Sequence, residues 1–151
     1  MTNWRTILAI DSDAKAFETY RANVEADSIV CGSVADLIDT LPYADVLIGG
    51  PPCQGFSHAG KRLGKDDARD CVPDFIAAIA RVKPRQFLME NVGGFMTIED
   101  GRYMQRAVRQ MEAPGYRVEM RLLDAVNFGV PQFRLRCWFW GIRNDLTVRH
   151  C

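Results

Sequence analysis

The sequence lacks three features that would place it outside the soluble globular proteins. No apolar run approaches the roughly 20 residues that a membrane helix needs, and the start, Met1–Arg5, has no apolar signal-peptide core. Twelve glycines and seven prolines are too few for a collagen-like chain, and a hydrophobic content of 48% argues against disorder. We therefore expect one soluble domain, residues 1–151, with no membrane association.

Paired cysteines are also missing. The five cysteines stand at positions 31, 53, 71, 137 and 151, an odd number with no CxxC spacing among them. This pattern argues against a disulfide framework and against a cysteine zinc site. It is typical of a protein from a reducing cytoplasm, and we expect no bound metal.

The chain has no net charge, since 19 basic residues balance 19 acidic ones. A uniformly basic coat for nucleic acid is therefore excluded. The balance hides an asymmetry: residues 1–80 carry a net −5 and residues 81–151 a net +5, with eleven arginines among the twelve cations of the second part. Such a split indicates either an anionic partner near the C-terminal half or an uneven, solvated surface.

What is present is an alternation of strand and helix patterns, with a long irregular stretch at 53–70. Strand patterns cover 6–10, 29–31, 45–48, 86–89, 116–124 and 136–142, and helical patterns cover 13–25, 34–41, 72–79 and 104–111. Alternation of this kind predicts an α/β fold with a parallel sheet and helices on both faces. Ligands of such sheets bind beyond the carboxyl ends of the strands.

Three chemically interesting spots follow predicted strands. Asp11 can accept bonds from ribose hydroxyls or simply cap a helix. Cys53 follows Pro51 and Pro52, which fix the backbone and remove two amide donors. A cysteine held in this way suits a nucleophile, whose thiolate is the attacking species, or it is an inert turn residue.

Glu90 and Asn91 end the strand pattern at 86–89, where an apolar approach would raise the pKa of Glu90 and make it a proton donor. A helix-capping pair is the alternative. Gln132, Arg134 and Arg136 alternate with period two, which predicts one shared face of an extended segment. Two arginines on one face suit a phosphate or a base edge, or they are solvated charges on an edge strand.

Together these segments resemble the DNA cytosine-5 methyltransferases over about residues 7–143. Four blocks in the family's order carry the resemblance: Ala9-Ile10-Asp11 with Tyr20 and Asn23, Gly50-Pro51-Pro52-Cys53-Gln54-Gly55-Phe56-Ser57, Glu90-Asn91-Val92, and Gln132-x-Arg134-x-Arg136 after Asn127-Phe128-Gly129-Val130-Pro131. The resemblance implies a Rossmann-like, S-adenosylmethionine-dependent methyltransferase sheet. It also implies a prokaryotic or phage enzyme of restriction–modification.

The resemblance further implies roles for single residues. Cys53 would add to C6 of a cytosine flipped out of double-stranded DNA, with C5 then accepting the methyl group. Glu90 would bond the base at N3, Asn91 would hold the Pro-Cys segment, and Arg134 and Arg136 would contact the cytosine. Asp11, Ser12, Ser33 and Pro51 would line the S-adenosylmethionine site, and Gln54, Ser57, Lys61, Arg62 and Gln132 would contact DNA.

Departures from the family pattern keep other readings open. The family's Phe-x-Gly-x-Gly cofactor loop is not found, and its acidic residue that contacts the adenine amine falls at Ser33. We therefore expect most of a catalytic core without either end, with apolar surface exposed where the sheet is incomplete. The alternatives are an inactive or split fragment that needs a second polypeptide for cofactor and DNA binding, and an RNA cytosine-5 methyltransferase.

Overall fold

The computed structural model describes residues 4–53 and 70–146, which form six strands and four helices. None of these helices is long and apolar enough to cross a membrane. The irregular segment Gly93–Gly101 contains 3-10 turns. The strands β1 to β6 are Thr6–Asp11, Ala26–Cys31, Val46–Gly49, Gln86–Val92, Tyr116–Asp124 and Leu135–Arg143, and the helices α1 to α4 are Ala14–Asn23, Val34–Leu37, Val72–Val82 and Arg102–Glu112.

The strands form two sheets. Strands β1 and β2 pair in parallel, and the second sheet has the order β3-β4-β6-β5. Strand β4 is parallel to β3, whereas β6 runs antiparallel to both β4 and β5. The expected α/β class is confirmed, but the expectation of an all-parallel sheet is wrong. The connection from β5 to β6, residues 125–134, holds no crossover helix, and a chain that turns back directly must pair antiparallel.

The main core lies between the four-stranded sheet and helices α3 and α4. Its largest fully buried side chains include Phe87, Phe95, Phe139 and Met89. A Cβ at Gly141 would stand 2.0 Å from Cε1 of Phe87, so β6 passes against the Phe87 ring where only a glycine fits. This packing fixes β4, which carries two of the predicted site residues.

The unit β1–α1–β2 is packed much more loosely. None of its strand or helix residues is buried. It joins the rest of the protein through Leu8 and Ile10, which pack with Leu47 against Ala78 and Val82 of α3. Within the described residues, β1 pairs only with β2 and β3 pairs only with β4, so each leaves one strand edge open.

Apolar side chains are exposed on the face of the second sheet that α3 and α4 do not cover. Ile48, Leu88 and Trp140 lie side by side in the register of β3, β4 and β6. Ile48 is 68% exposed and Trp140 is 46% exposed. The expectation of exposed apolar surface is met at this face.

Two helices begin directly after a residue whose side chain caps them. The Asp13 carboxylate accepts hydrogen bonds from the amides of Lys15 and Ala16, so α1 begins one residue later than predicted. Ser33 caps α2 by accepting from the amide of Ala35. These caps hold the loops that follow β1 and β2 at the carboxyl edge of the small sheet.

Candidate active site

Cys53 lies just beyond the carboxyl end of β3, and its side chain is buried, with 5% exposure. It forms an isolated antiparallel bridge with Asp70, and the amide of Cys71 donates to the carbonyl of Pro52 over 2.9 Å. The bridge brings together the two residues that flank 54–69. The predicted nucleophile therefore stands at the base of that segment, against α3.

Asn91 holds the Cys53 segment from β4. The Cys53 Sγ donates to Asn91 Oδ1 over 3.0 Å, and Asn91 Nδ2 donates to the Pro51 carbonyl over 3.0 Å. Asn91 Oδ1 also accepts from the amide of Val92. One buried amide side chain thus satisfies both the thiol and the backbone two residues before it.

The thiol of Cys53 is not activated in this structure. Burial, followed by the negative charges of Asp70 and Glu90, raises the pKa of Cys53 to about 11. At pH 8 only about one thiol in a thousand would be ionised at such a pKa. A nucleophilic role therefore needs a change of surroundings when a substrate binds.

Glu90 carries a charge partner instead of the apolar surroundings that its strand predicts. Its Oε1 lies 2.7 Å from Nε of Arg136, and both side chains are partly buried. A Cβ at Gly50 would stand 3.4 Å from Glu90 Oε2, so the carboxylate lies beside the glycine-proline turn that leads to Cys53.

Strand β4 runs past the point where the sequence pattern ends it. Asn91 pairs with Cys137 and Val92 with Arg136, so Glu90 and Asn91 lie within the strand and do not follow it. Successive residues of a strand point to opposite faces. Asn91 consequently faces Cys53 on the core side, while Glu90 meets Arg136 on the other side.

Of Gln132, Arg134 and Arg136, only Arg136 lies in a strand, since β6 begins at Leu135. The chain bends at 131–132 and is irregular at 133–134. The Asp124 carboxylate accepts from the amide of Arg134 over 2.8 Å. Only Arg136 among these three makes an ion pair with a predicted site residue within the described chain.

The residues expected at the cofactor lie at the carboxyl edge of the small sheet. Asp11 pairs with Cys31 in register, and the amide of Gly32 donates to the Asp11 carbonyl, which brings Asp11 close to Ser33. Asp11 and Ser12 are exposed. The Asp11 carboxylate accepts from the amide of Asp13, and Ser33 acts as a cap. Helix α1 is capped by Asp13, so the alternative in which Asp11 caps a helix is wrong, and the side chains of Asp11 and Ser33 both remain exposed.

Four residues predicted to contact DNA, namely Gln54, Ser57, Lys61 and Arg62, lie outside the described residues. Asp70 and Tyr103, which lie near Cys53, were not predicted as site residues. The hydroxyl of Tyr103, on α4, donates to Oδ2 of Asp70. Their separation of 33 positions and the absence of any motif left no signal that would have paired them.

The fold and the site define an α/β domain with a buried cysteine and a paired acid on adjacent strands, near the carboxyl edge where ligands of such sheets bind. The family model for the C-5 cytosine-specific DNA methylases matches residues 1–150. The chain belongs to this family, and its Rossmann-like methyltransferase fold follows from the same match and from solved structures.

Two bacterial enzymes illustrate the relationship. The type II methyltransferase M.BspRI of Lysinibacillus sphaericus is 39% identical over 97% of this chain and 35% of its own length. M.AplI of Arthrospira platensis is 43% identical over 89% of this chain and 41% of its own length. The chain therefore spans about two fifths or less of these two relatives.

A solved structure agrees with the fold. It belongs to a prophage-encoded protein of E. coli assigned as a DNA modification methyltransferase, which is 26% identical and has a TM-score of 0.73. The similarity covers 97% of this chain and 43% of that protein.

Proposed function

We propose that the chain carries the catalytic centre of a DNA cytosine-5 methyltransferase of a restriction–modification system, acting on double-stranded DNA in the bacterial cytoplasm. The observation that carries this proposal is the hold of Asn91 on both the thiol of Cys53 and the carbonyl of Pro51. The ion pair of Glu90 and Arg136 lies beside the same segment. A structural cysteine would need neither arrangement.

In this proposal Cys53 is the nucleophile. A cytosine that enters from the carboxyl edge replaces the thiol's contact with Asn91, and the sulfur adds to ring C6 while its proton leaves to solvent. Arg136 turns from Glu90 toward the base, and Glu90, having taken up a proton from solvent, binds N3 and passes this proton to it. Once C5 carries the methyl group, loss of the C5 proton to solvent, departure of the Cys53 sulfur and return of the N3 proton to Glu90 restore the aromatic ring.

The cofactor of this chemistry would be S-adenosylmethionine, which supplies an electrophilic methyl group when bound. Asp11 and Ser33 are accessible at one sheet edge, as a ribose and an adenine would require. The free lone pairs of the Asp11 carboxylate can accept ribose hydroxyls. Ser12 and Pro51 would complete the site.

A covalent trap tests the nucleophile. The 151-residue chain, alone and grafted in place of the matched segment of M.BspRI, is incubated with 5-fluorocytosine DNA and S-adenosylmethionine. We expect a denaturation-resistant adduct from the graft with wild-type sequence and with Cys137→Ala, which alters another buried cysteine. The Cys53→Ala graft should give none, because no thiol remains to attack C6. An adduct that survives Cys53→Ala would refute the assignment.

We further propose that a second polypeptide, or further sequence, completes cofactor binding, because the chain holds no family-type glycine loop. Calorimetry of the isolated chain should then show S-adenosylmethionine binding that is weak or undetectable. The graft should bind, and Asp11→Ala should weaken that binding because the ribose loses its acceptor. Micromolar binding by the isolated chain would contradict this part of the proposal.

A further inference from the structure

The Asp70 carboxylate connects three parts of the protein beside Cys53. Its Oδ1 accepts from the amide of Val72 over 3.2 Å, at the start of α3. Its Oδ2 accepts from the hydroxyl of Tyr103 on α4. Its backbone forms the bridge with Cys53. One side chain therefore ties the base of the 54–69 segment to two helices.

Tyr103 is a fixed anchor. Its ring packs edge-on against Phe95 at 5.4 Å between centroids, and the guanidinium of Arg106 lies over it at 5.6 Å. Arg106 is itself held by Glu99. Burial and the Asp70 carboxylate raise the pKa of Tyr103 well above its usual range, so the hydroxyl remains a hydrogen-bond donor.

Asp70 makes thiolate formation at Cys53 harder, yet its two oxygens suit two donors. A neutral asparagine would remove the charge but has only one acceptor oxygen, whereas the carboxylate accepts from both Val72 and Tyr103. The carboxylate of Asp70 therefore keeps two hydrogen bonds that fix the backbone beside Cys53, although its charge disfavours the thiolate form of Cys53.

We propose that Asp70 and Tyr103 form a positioning clamp that fixes the base of the 54–69 segment and thereby holds the Cys53 sulfur against Asn91. The role as a positioning pair rests on the proposed function, in which Cys53 is the nucleophile. The clamp itself is a property of the free chain. In this role both residues act through the position of Cys53 and not on the reacting atoms.

Site-resolved alkylation of the full 151-residue chain tests the clamp without DNA or cofactor. Iodoacetamide labelling of each cysteine is followed by mass spectrometry in Tyr103→Phe and in the control Tyr116→Phe. The control also removes a buried hydroxyl, one that donates to the Pro84 carbonyl away from the site. We expect Tyr103→Phe to speed labelling of Cys53 by about tenfold, the factor that a hydrogen bond to a charged group contributes.

Cys137 is the internal reference, because it is fully buried and bonds the carbonyls of Asn91 and Val92. Its labelling should not change in Tyr103→Phe, and neither cysteine should react faster in Tyr116→Phe. Equal acceleration at Cys53 and Cys137, or an equal effect of both tyrosine variants, would show general loosening and overturn the clamp. An unchanged Cys53 rate would overturn it too.

Asp70→Asn supplies a second variant with a different signature. With Asp70 neutral, and Glu90 and Cys137 still facing the thiol, the pKa of Cys53 should fall and its alkylation profile should move to lower pH. Tyr103→Phe should not lower that midpoint, since the Asp70 charge remains. A lower midpoint in both variants would mean that charge, not position, is what the pair controls. Failure of DNA trapping would leave these rates untouched, so the two proposals fail separately.

Discussion

Asn91 combines three tasks in one buried side chain. It accepts from the thiol of Cys53 and from the amide of Val92, and it donates to the carbonyl of Pro51. It is 4% exposed. The cysteine and its neighbours therefore depend on a residue that contributes through hydrogen bonds and not through apolar burial.

We predict that Asn91→Ala lowers the free energy of unfolding by about 2 kcal/mol, because the Pro51 carbonyl and the Val92 amide lose a partner where they are partly buried and the buried Cys53 thiol loses its acceptor. Urea unfolding measures the change. Asn23→Ala is the matched control, since Asn23 donates to Thr19 on the exposed face of α1. The control should cost less than about 0.5 kcal/mol. Equal losses for both would show that the Asn91 bonds add no stability.

The chemical candidates at this scale could be predicted, while their partners could not. Cys53, Glu90 and Asn91 are marked by local chain features: two prolines before the cysteine and an apolar strand before the acid. The pairing of Glu90 with Arg136 and of Asp70 with Tyr103 depends on which strands and helices become neighbours. Side-chain identity alone does not determine that.

Most strand and helix positions followed from periodicity, but α2 ends four residues before its predicted end, β2 begins three residues before its predicted start, and strand directions did not follow. Patterns at 116–124 and 136–142 agree with β5 and β6 within a residue. The end of β4 was placed at residue 89 because its apolar pattern stops there, yet pairing with β6 continues it to Val92. Tertiary pairing thus overrode the local signal.

Direction within the sheet was the larger error at this scale. The predicted parallel arrangement assumed a helix between successive strands, and β5 follows α4 correctly in that scheme. Residues 125–134 return the chain without a helix, so β6 enters between β4 and β5 in antiparallel register. This entry is what places Arg136 next to Glu90, since Val92 and Arg136 are register partners.

At the scale of the whole molecule, several arginines of the positively charged half, residues 81–151, form ion pairs. Arg136 is bonded to Glu90, Arg106 to Glu99 and Arg143 to Asp145. Each of these pairs joins two residues of the same half, so the net +5 of residues 81–151 is unchanged by them and remains compatible with DNA at the carboxyl edge. Rearrangement of the Arg136 pair would release a cation just where the proposed base enters.

The two halves of the molecule differ in how firmly they are packed. The four-stranded sheet buries Phe87, Met89 and Phe139, whereas β1, α1 and β2 bury no residue completely. Open edges on β1 and β3 add unpaired backbone groups within the described chain. The half that carries Asp11 and Ser33 is thus the less firmly packed half, and we expect it to be the less stable one.

We predict that β1 and β2 open independently of the main sheet. In hydrogen exchange with rising urea, amides of 6–31 should lose protection at concentrations that leave 86–92 and 135–143 protected, because local stability follows buried apolar contact. Leu8→Ala, which weakens the contact with α3, should reduce protection of 6–31 only. Met89→Ala, in the main core, should lower protection in both regions. Simultaneous loss of protection in the wild-type chain would mean one cooperative unit, and the small sheet would then be stabilised by contacts other than its own core.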